Sequence, residues 1–277
     1  MKTLLGIAAR NLIQAKRRTT LLGIALTTVT ILLVLLLSLS QGLSDTMMRI
    51  ALTFAAGHIN VAGFYKAKAT DAAPIVVDAP PVRKFIEENT PNLAYVIDRH
   101  RGYARLASEK SSVQTMLVGL DMSQEKRLFE VLELAPESEY RDGGRNEVLG
   151  DFSRLSEPRA LMLFVAHAKR LGVTVGDKIT LTNETFGGSR NAADVTIVAI
   201  ARNVGIISNF NSFVNRQLVL DLYQVRDVST GAQMVYLDDP SKAAATMEHL
   251  RNALIKNGYK VMDYDPQPFF MKFEGVA

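Results

Sequence analysis

"RNLIQAKRRTTLLGIALTTVTILLVLLLSLSQGL", residues 10–43, sets three consecutive cations, Lys16, Arg17 and Arg18, directly before an apolar stretch. No charged residue occurs from Leu21 to Leu39. As a helix, about 20 such residues cross the roughly 30 Å hydrocarbon core of a bilayer. A cleavable secretory signal has an apolar region of about 7–15 residues behind a short basic start. Here the start is 18 residues long and the apolar run is of full spanning length, so a transmembrane helix is predicted rather than a leader. The small-x-small triplet Ser38-Leu39-Ser40 raises the competing reading, a secreted domain released after Ser40.

The flanks set an orientation. Lys2, Arg10, Lys16, Arg17 and Arg18 precede the span with no acid among them, whereas Arg49 and Lys66 are the first two cations after it and Asp45 comes before both. The excess of cations on the cytoplasmic side of membrane helices places the N-terminus inside and everything after about residue 41 outside. Leu4, Leu5, Ala8, Ala9 and Leu12 recur at helical spacing, with Arg10, Gln14, Arg17 and Arg18 largely elsewhere around the wheel. Residues 1–18 are therefore expected to form an interfacial amphipathic helix whose cations Arg10, Lys16, Arg17 and Arg18 lie among lipid headgroups.

The same count disposes of a tempting inference from the basic pI of about 9.2. The chain is +4 and its first 18 residues alone carry +5, so the remainder is one unit negative. A phosphate-reading surface needs cations clustered on the folded body, and nucleic acid is not an expected partner. With 48% hydrophobic and 22% charged residues, the 277-residue chain can bury a real core. It has no cysteine, which excludes a disulfide framework, thiolate zinc sites and a cysteine nucleophile.

Beyond the span, "QGLSDTMMRIALTFAAG" is expected to continue the helix to Ala56, ended by Gly57. "HINVAGF", 58–64, alternates as a strand does, and 65–80 reads as a loop. "PPVRKFIEENTP" has the start and stop of a short helix. "LAYVIDRHRGYARLAS" and "SSVQTMLVGLD" read as strands joined at Glu109-Lys110. A helix is expected from Ser156-Glu157-Pro158 through "RALMLFVAHAKRL" to Gly172. "GDKITLTN" and "ADVTIVAIARN" form a hairpin around "ETFGGSR". A short helix near 218–226, a strand "AQMVYLDDP", a helix with Ala244, Met247, Leu250, Leu254 and Ile255 on its apolar face and a last strand "YKVMDYD" complete the chain. Strands and helices mix without βαβ regularity, so the fold class is α+β. The expected organisation is the surface helix over 1–18, the transmembrane helix with its extension over 19–56, and an extracytoplasmic domain over 57–277. Lobe one of that domain comprises 57–120 plus 231–265, and lobe two, 121–230, is inserted in it.

No site of chemistry emerges. His58, His100, His167 and His249 are scattered without a second ligand at helical or hairpin spacing, and His167 reads as a hydrogen-bonded core residue. There is no nucleophile elbow, phosphate loop or dinucleotide fingerprint. No catalytic residue, cofactor or metal is expected. Arg99, Arg101 and Arg105, at alternate positions of "DRHRGYAR", read as a solvated strand face or as a docking surface for an acidic partner.

The start of the chain resembles the MacB/FtsX-type ABC transporter permeases. In that family an interfacial helix with Arg-Asn-Leu and Lys-Arg-Arg precedes the first membrane helix, as Arg10-Asn11-Leu12 and Lys16-Arg17-Arg18 do here, and a small Gly-containing exit follows, here Gln41-Gly42. "HAKRLGVTVGDKITL", "VTIVAIARNVG" and "MVYLDDPSKAAATMEHLRNAL" are similar to the family's later extracytoplasmic segments. The resemblance implies a MacB-like periplasmic core on a bacterial inner-membrane anchor. It implies a permease subunit that carries ATP-driven motion from a separate cytoplasmic ABC ATPase to the periplasm, for export or for lipoprotein or other substrate handling. The implied partners are that ATPase, the lipid bilayer, a second permease copy or paralogue, and a periplasmic substrate or partner protein. Family members continue into three further membrane helices, so the resemblance implies either a fragment, the N-terminal half of such a permease, or a truncated product. Lipoprotein-releasing relatives carry a long hook loop where the connection Glu184 to Asn191 is short here. The alternative from another class is a single-span anchored binding or sensor domain that works without an ATPase.

Overall fold

The computed structural model describes residues 6, 10, 15–63, 65–68, 71–73, 75–125 and 127–259. Most of the expected surface helix and almost all of the expected last strand lie outside these residues. The chain divides into two units, 1–51 and 52–277.

The first unit is dominated by α1, Lys16–Ala51, a helix of 36 residues. Its apolar residues face outward all round: Leu21, Ile24, Leu26, Leu32, Leu36 and Leu39 are each more than half exposed. A helix hydrophobic on every side wants lipid or protein around it. This one is long and apolar enough to cross a membrane. Thr30 donates to the Leu26 carbonyl at 2.9 Å, so its hydroxyl is satisfied within the helix. At 1.5 Å per residue the helix is about 54 Å long, well beyond a bilayer core. Its polar end, where Gln41 donates to Asp45 at 2.8 Å, belongs to the part beyond the apolar run.

The second unit opens with a π-helical turn, Leu52–Ala56, closed by the Gly57 amide donating to the Leu52 carbonyl at 2.8 Å. Gly57, at φ +66°, ends the helical run where the sequence placed it. Then come β1 (Ile59–Ala62), β2 (Tyr65–Lys68), β3 (Asp71–Ala73), α2 (Ala79–Asn89), β4 (Leu93–Ala107), β5 (Ser112–Leu120), α3 (Leu128–Val131) and α4 (Glu137–Tyr140). They are followed by β6 (Ala160–Phe164), α5 (Val165–Leu171), β7 (Lys178–Glu184), β8 (Arg190–Ala201), β9 (Asn211–Asn215), α6 (Arg216–Tyr223), β10 (Ala232–Leu237) and α7 (Ala243–Lys256).

The fifteen-residue β4 organises both layers. Its first half, through Arg99, pairs antiparallel with β10, which also holds β1. Its second half, His100–Ala107, pairs with β5, and Arg105–Ala107 pair as well with Thr180–Thr182 of β7. The order β4-β5-β9-β6-β8-β7 therefore returns to β4 and closes a six-stranded barrel. Leu106, Leu117, Leu161, Leu163, Leu181, Ile197 and Val214 fill it, together with Leu171 of α5 and Leu222 of α6. The three-stranded layer β1-β10-β4 packs Ile59, Val96 and Val235 against Ile86 of α2 and Leu250 and Leu254 of α7.

Four elements differ from expectation. Asn211–Asn215 is the barrel strand β9, where no strand was expected. The helix expected from residue 156 begins only at Val165, because 160–164 is β6, buried at all five positions between β8 and β9. An apolar run without alternation fits a strand covered on both faces as well as a buried helix. The expected loop over 65–80 contains the small hairpin β2–β3. On α7, Met247 and Ile255 are exposed and Thr246 is buried with Leu250 and Leu254, so the buried stripe is rotated from the one expected. His167 is a satisfied core residue: it is 3% exposed and its Nε2 lies 3.0 Å from the Asn209 carbonyl oxygen.

One close approach is unforgiving. A Cβ at Gly102 would lie 2.3 Å from the ring of Tyr223, which is buried and donates from its hydroxyl to the Tyr103 carbonyl at 2.7 Å. Gly102→Ala is expected to destabilise the domain by about 1–3 kcal/mol. Thermal unfolding followed by circular dichroism reads this as a lower midpoint with unchanged native secondary structure; an unchanged midpoint refutes the clash.

Candidate functional site

The most constrained polar cluster lies where the chain enters the second unit. Asp98 and Arg99 are neighbours on β4, so their side chains leave opposite faces. The turn after β5 serves both. Asp121 accepts from the Ser123 amide at 3.0 Å and from Gln124 Nε2 at 2.8 Å, which fixes the turn that presents Gln124 and Glu125.

On the helix-covered face, Arg83 of α2 forms an ion pair with Asp98 and donates to Gln124 Oε1 at 3.0 Å and to the Val96 carbonyl at 3.0 Å. On the opposite face, the Arg99 side chain is fully buried. Its Nε and Nη2 donate to the two carboxylate oxygens of Glu125 at 2.8 and 2.7 Å, a bidentate pair. Its remaining nitrogen, Nη1, donates to the carbonyls of Thr53 at 2.6 Å and Phe54 at 3.2 Å. Those carbonyls belong to the last turn of the helical run, where the Gly57 amide bonds to Leu52 and the His58 amide to Val235, which leaves both without a helical donor.

Further contacts hold the same segment. The Tyr236 hydroxyl donates to the Leu52 carbonyl at 3.3 Å. The His58 amide donates to the Val235 carbonyl at 3.0 Å, while His58 Nδ1 accepts from the Leu237 amide at 2.9 Å. The buried Phe54 ring meets Phe213 edge-on at 5.8 Å, and Phe213 in turn meets Phe164 at 6.1 Å. Residues 52–58 are thus held by both layers, through β10 on one side and the aromatic chain of β9 and β6 on the other.

Arg99, Arg101 and Arg105 do not make one surface. Arg99 is interior, and the half-buried Arg101 contacts Met234 Sδ at 3.8 Å, with burial and then the neighbouring Arg99 charge pulling its guanidinium down to about 10. Only Arg105 is exposed. The reason lies in β4 itself: its first half is covered on both faces and its second half has one face outside the barrel. Arg10, Lys16, Arg17 and Arg18 are exposed, the last three in the first turn of α1. Among the described residues, no three His, Asp or Glu side chains come together as metal ligands would. Sequence reasoning missed Glu125 and the acceptor carbonyls of Thr53 and Phe54. A cation at the centre of a strand paired on both edges demands an acid, but nothing local marks Glu125 among the charges of 121–146.

Breaking one side of such a pair leaves an uncompensated buried charge, at a cost of about 3–5 kcal/mol. Arg99→Met should therefore lower stability by that amount. Arg99→Met with Glu125→Leu should recover most of it, as urea titrations in detergent would show. Additive losses would mean that the two residues do not act as a pair.

His100, also on β4, makes stability depend on pH. Burial pushes its pKa down to about 4, against the raising effect of its bond to the Ser229 carbonyl at 2.6 Å. The unfolded chain, titrating near 6.5, binds the proton more readily. This contribution is therefore complete above about pH 6.5, is lost as pH falls toward 4, and amounts to about 3 kcal/mol. His100→Gln should flatten the pH profile of stability across that window; an unchanged slope would assign it to other groups.

The fold and the joint define a class: a mixed α/β domain entered directly from a helix of membrane-spanning length. No known family's sequence model matches the chain, and no curated protein matches its sequence. Among solved structures, it is similar to the extracellular domain of the noncanonic ABC-type transporter YknZ from Gram-positive bacteria. That likeness has 14% identity, covers 72% of this chain and 94% of that one, and has a TM-score of 0.42. It is similar to the periplasmic region of MacB from Actinobacillus actinomycetemcomitans, with 12% identity, coverage of 72% and 82%, and a TM-score of 0.43. A domain of a putative permease protein from Porphyromonas gingivalis matches at 12% identity, coverage of 70% and 79%, and a TM-score of 0.37. No residue role is carried across from them.

Proposed function

We propose that this chain is part of an ABC-transporter permease: a membrane helix and the extracytoplasmic domain through which motion driven by a separate ATPase acts outside the membrane. The observation that carries this reading is the joint. A domain that needs only to be kept near a membrane can hang from a flexible tether. Here the segment that follows the 36-residue helix is instead fixed through its backbone carbonyls by the fully buried Arg99 and its Glu125 partner. A held entry of this kind suits the passage of force; a tether does not require it.

The motifs before the span support the same reading. Arg10-Asn11-Leu12 and Lys16-Arg17-Arg18 resemble the entry to the first membrane helix in that permease type, and the excess of cations before the span supports a cytoplasmic N-terminus. The ATPase would meet the protein on that side. The domain would stand on the outer side of a bacterial inner membrane, where it acts on a substrate or partner, with a second permease copy or paralogue completing the transporter.

Affinity purification of the endogenous protein from membranes in mild detergent tests this. A nucleotide-binding subunit should come with it, in stoichiometric amount. Its absence would leave the anchored binding or sensor domain. Orientation is checked separately, and the lack of native cysteine makes single labels clean. In intact spheroplasts, Ser241→Cys should react with a membrane-impermeant maleimide and Lys16→Cys should not; the reverse pattern would overturn the topology.

A further inference from the structure

Outside the joint, one exposed face combines cations and apolar side chains in a way the barrel does not need. An open cavity of about 330 Å³ is lined by Arg105, Ser112, Gln114, Arg170, Asn209 and Phe210, among others. Arg105 and Gln114 are cross-strand partners on β4 and β5, and Tyr103, two residues before Arg105, shares its outward face. Tyr103 is 76% exposed, Phe210 57% and Ile206, in the adjoining 3₁₀ turn, 73%.

These apolar groups are presented on pinned backbone. The Phe210 carbonyl accepts from the Met116 amide and from Thr115 Oγ1 at 3.1 Å, and the Phe210 amide donates to the Ile207 carbonyl at 3.1 Å. The charges are unbalanced as well. Arg83, Arg99, Arg141, Arg145, Arg154, Arg202 and Arg216 each meet a carboxylate. Arg105 and Arg170, like the exposed Arg159, Arg190 and Arg226 elsewhere, meet none among the described residues; what sets this cavity apart is that it gathers two such cations with only neutral polar groups beside them. A role at the C-terminal end of α5 accounts for Arg170, whose charge, after burial, lowers the pKa of His167. It does not account for Arg105 on the strand.

We propose that this face docks an acidic peptide segment of a partner protein, one with an apolar or aromatic side chain beside its carboxylates. Arg105 and Arg170 receive the carboxylates, while Phe210, Tyr103 and Ile206 receive the apolar group. Ser112, Gln114 and Asn209 offer hydrogen bonds to the peptide backbone. Tyr, Phe and Arg set on a rigid support are the composition that concentrates binding energy in protein interfaces. The apolar half argues against a free inorganic anion, and the charge argues against a purely apolar partner. The inference does not depend on an ATPase partner, since an anchored domain acting alone would present the same face.

Fluorescence anisotropy on the full chain in detergent tests it. The probe is a fluorescein-labelled peptide alternating Glu with Phe and Leu, and its control is the same peptide with Gln for Glu. The acidic peptide should bind and the Gln peptide should not, with added salt weakening the complex. Arg105→Gln with Arg170→Gln should weaken binding on the order of tenfold. Phe210→Ala should weaken it independently, and the thermal midpoint should stay unchanged for both variants. Equal affinity of the double-arginine variant, or no binding by the native chain, overturns the proposal. Binding of phosphatidylglycerol vesicles in place of the peptide, with the same loss on mutation, would overturn it in favour of a lipid surface.

Discussion

A guanidinium with no access to water is the constraint around which this domain is arranged. Arg99 sits where β4 passes from one layer to the other, so its charge could be accommodated only by bringing a carboxylate and spare carbonyl oxygens to the same point. Glu125 supplies the first and the π turn at 52–56 supplies the second. In the π turn the Gly57 amide takes the Leu52 carbonyl rather than that of Thr53, and the Phe54 carbonyl lies in the last turn, where no helical amide follows to take it. The irregular helix end, the turn after β5 and the course of β4 are thus solutions to one electrostatic problem. A buried pair of this kind adds little net stability over apolar residues of equal size, because desolvation offsets most of the attraction. Its value lies in geometry: with Nε and Nη2 committed to Glu125, Nη1 is aimed at the carbonyls of Thr53 and Phe54 and holds residues 52–54 in place.

How much of this was legible follows from the physics of each signal. The long apolar helix, its end at Gly57, the paired strands around Glu109-Lys110 and the hairpin around "ETFGGSR" rest on local features, such as an uncharged run, alternation and turn glycines. The structure has all of them. β6 was misread because alternation disappears when both faces of a strand are covered, so "ALMLF" carries no periodicity with which to choose. The joint was invisible for a different reason. Arg99 and Glu125 are 26 residues apart, and the carbonyls they organise have no side-chain signature. Read alone, "DRHRGYAR" looks like a solvated face. Only the knowledge that the strand is paired on both edges, with a layer over it, turns one of its cations inward.

The two faces of β4 divide the work of the domain. Inward, it binds the entering chain and the barrel together. Outward, beyond Gly102, the same strand carries Tyr103 and Arg105 on a surface backed by the barrel core. Where ladder bonds already fix the backbone, a partner has only side-chain rotamers left to order, so exposed residues there are better placed for recognition than the same residues on a mobile loop.

The sharing of β4 also sets how the domain can open. Neither the three-stranded layer nor the closed barrel can lose its ladder without disturbing a strand that belongs to the other. Opening events that in many two-lobed proteins are confined to one lobe are here coupled through a single run of amides. Under native-state hydrogen exchange, the middle of β4 is where the two layers become one cooperative unit, while the helices on the outer face of β1-β10-β4 remain free to fray on their own timescale.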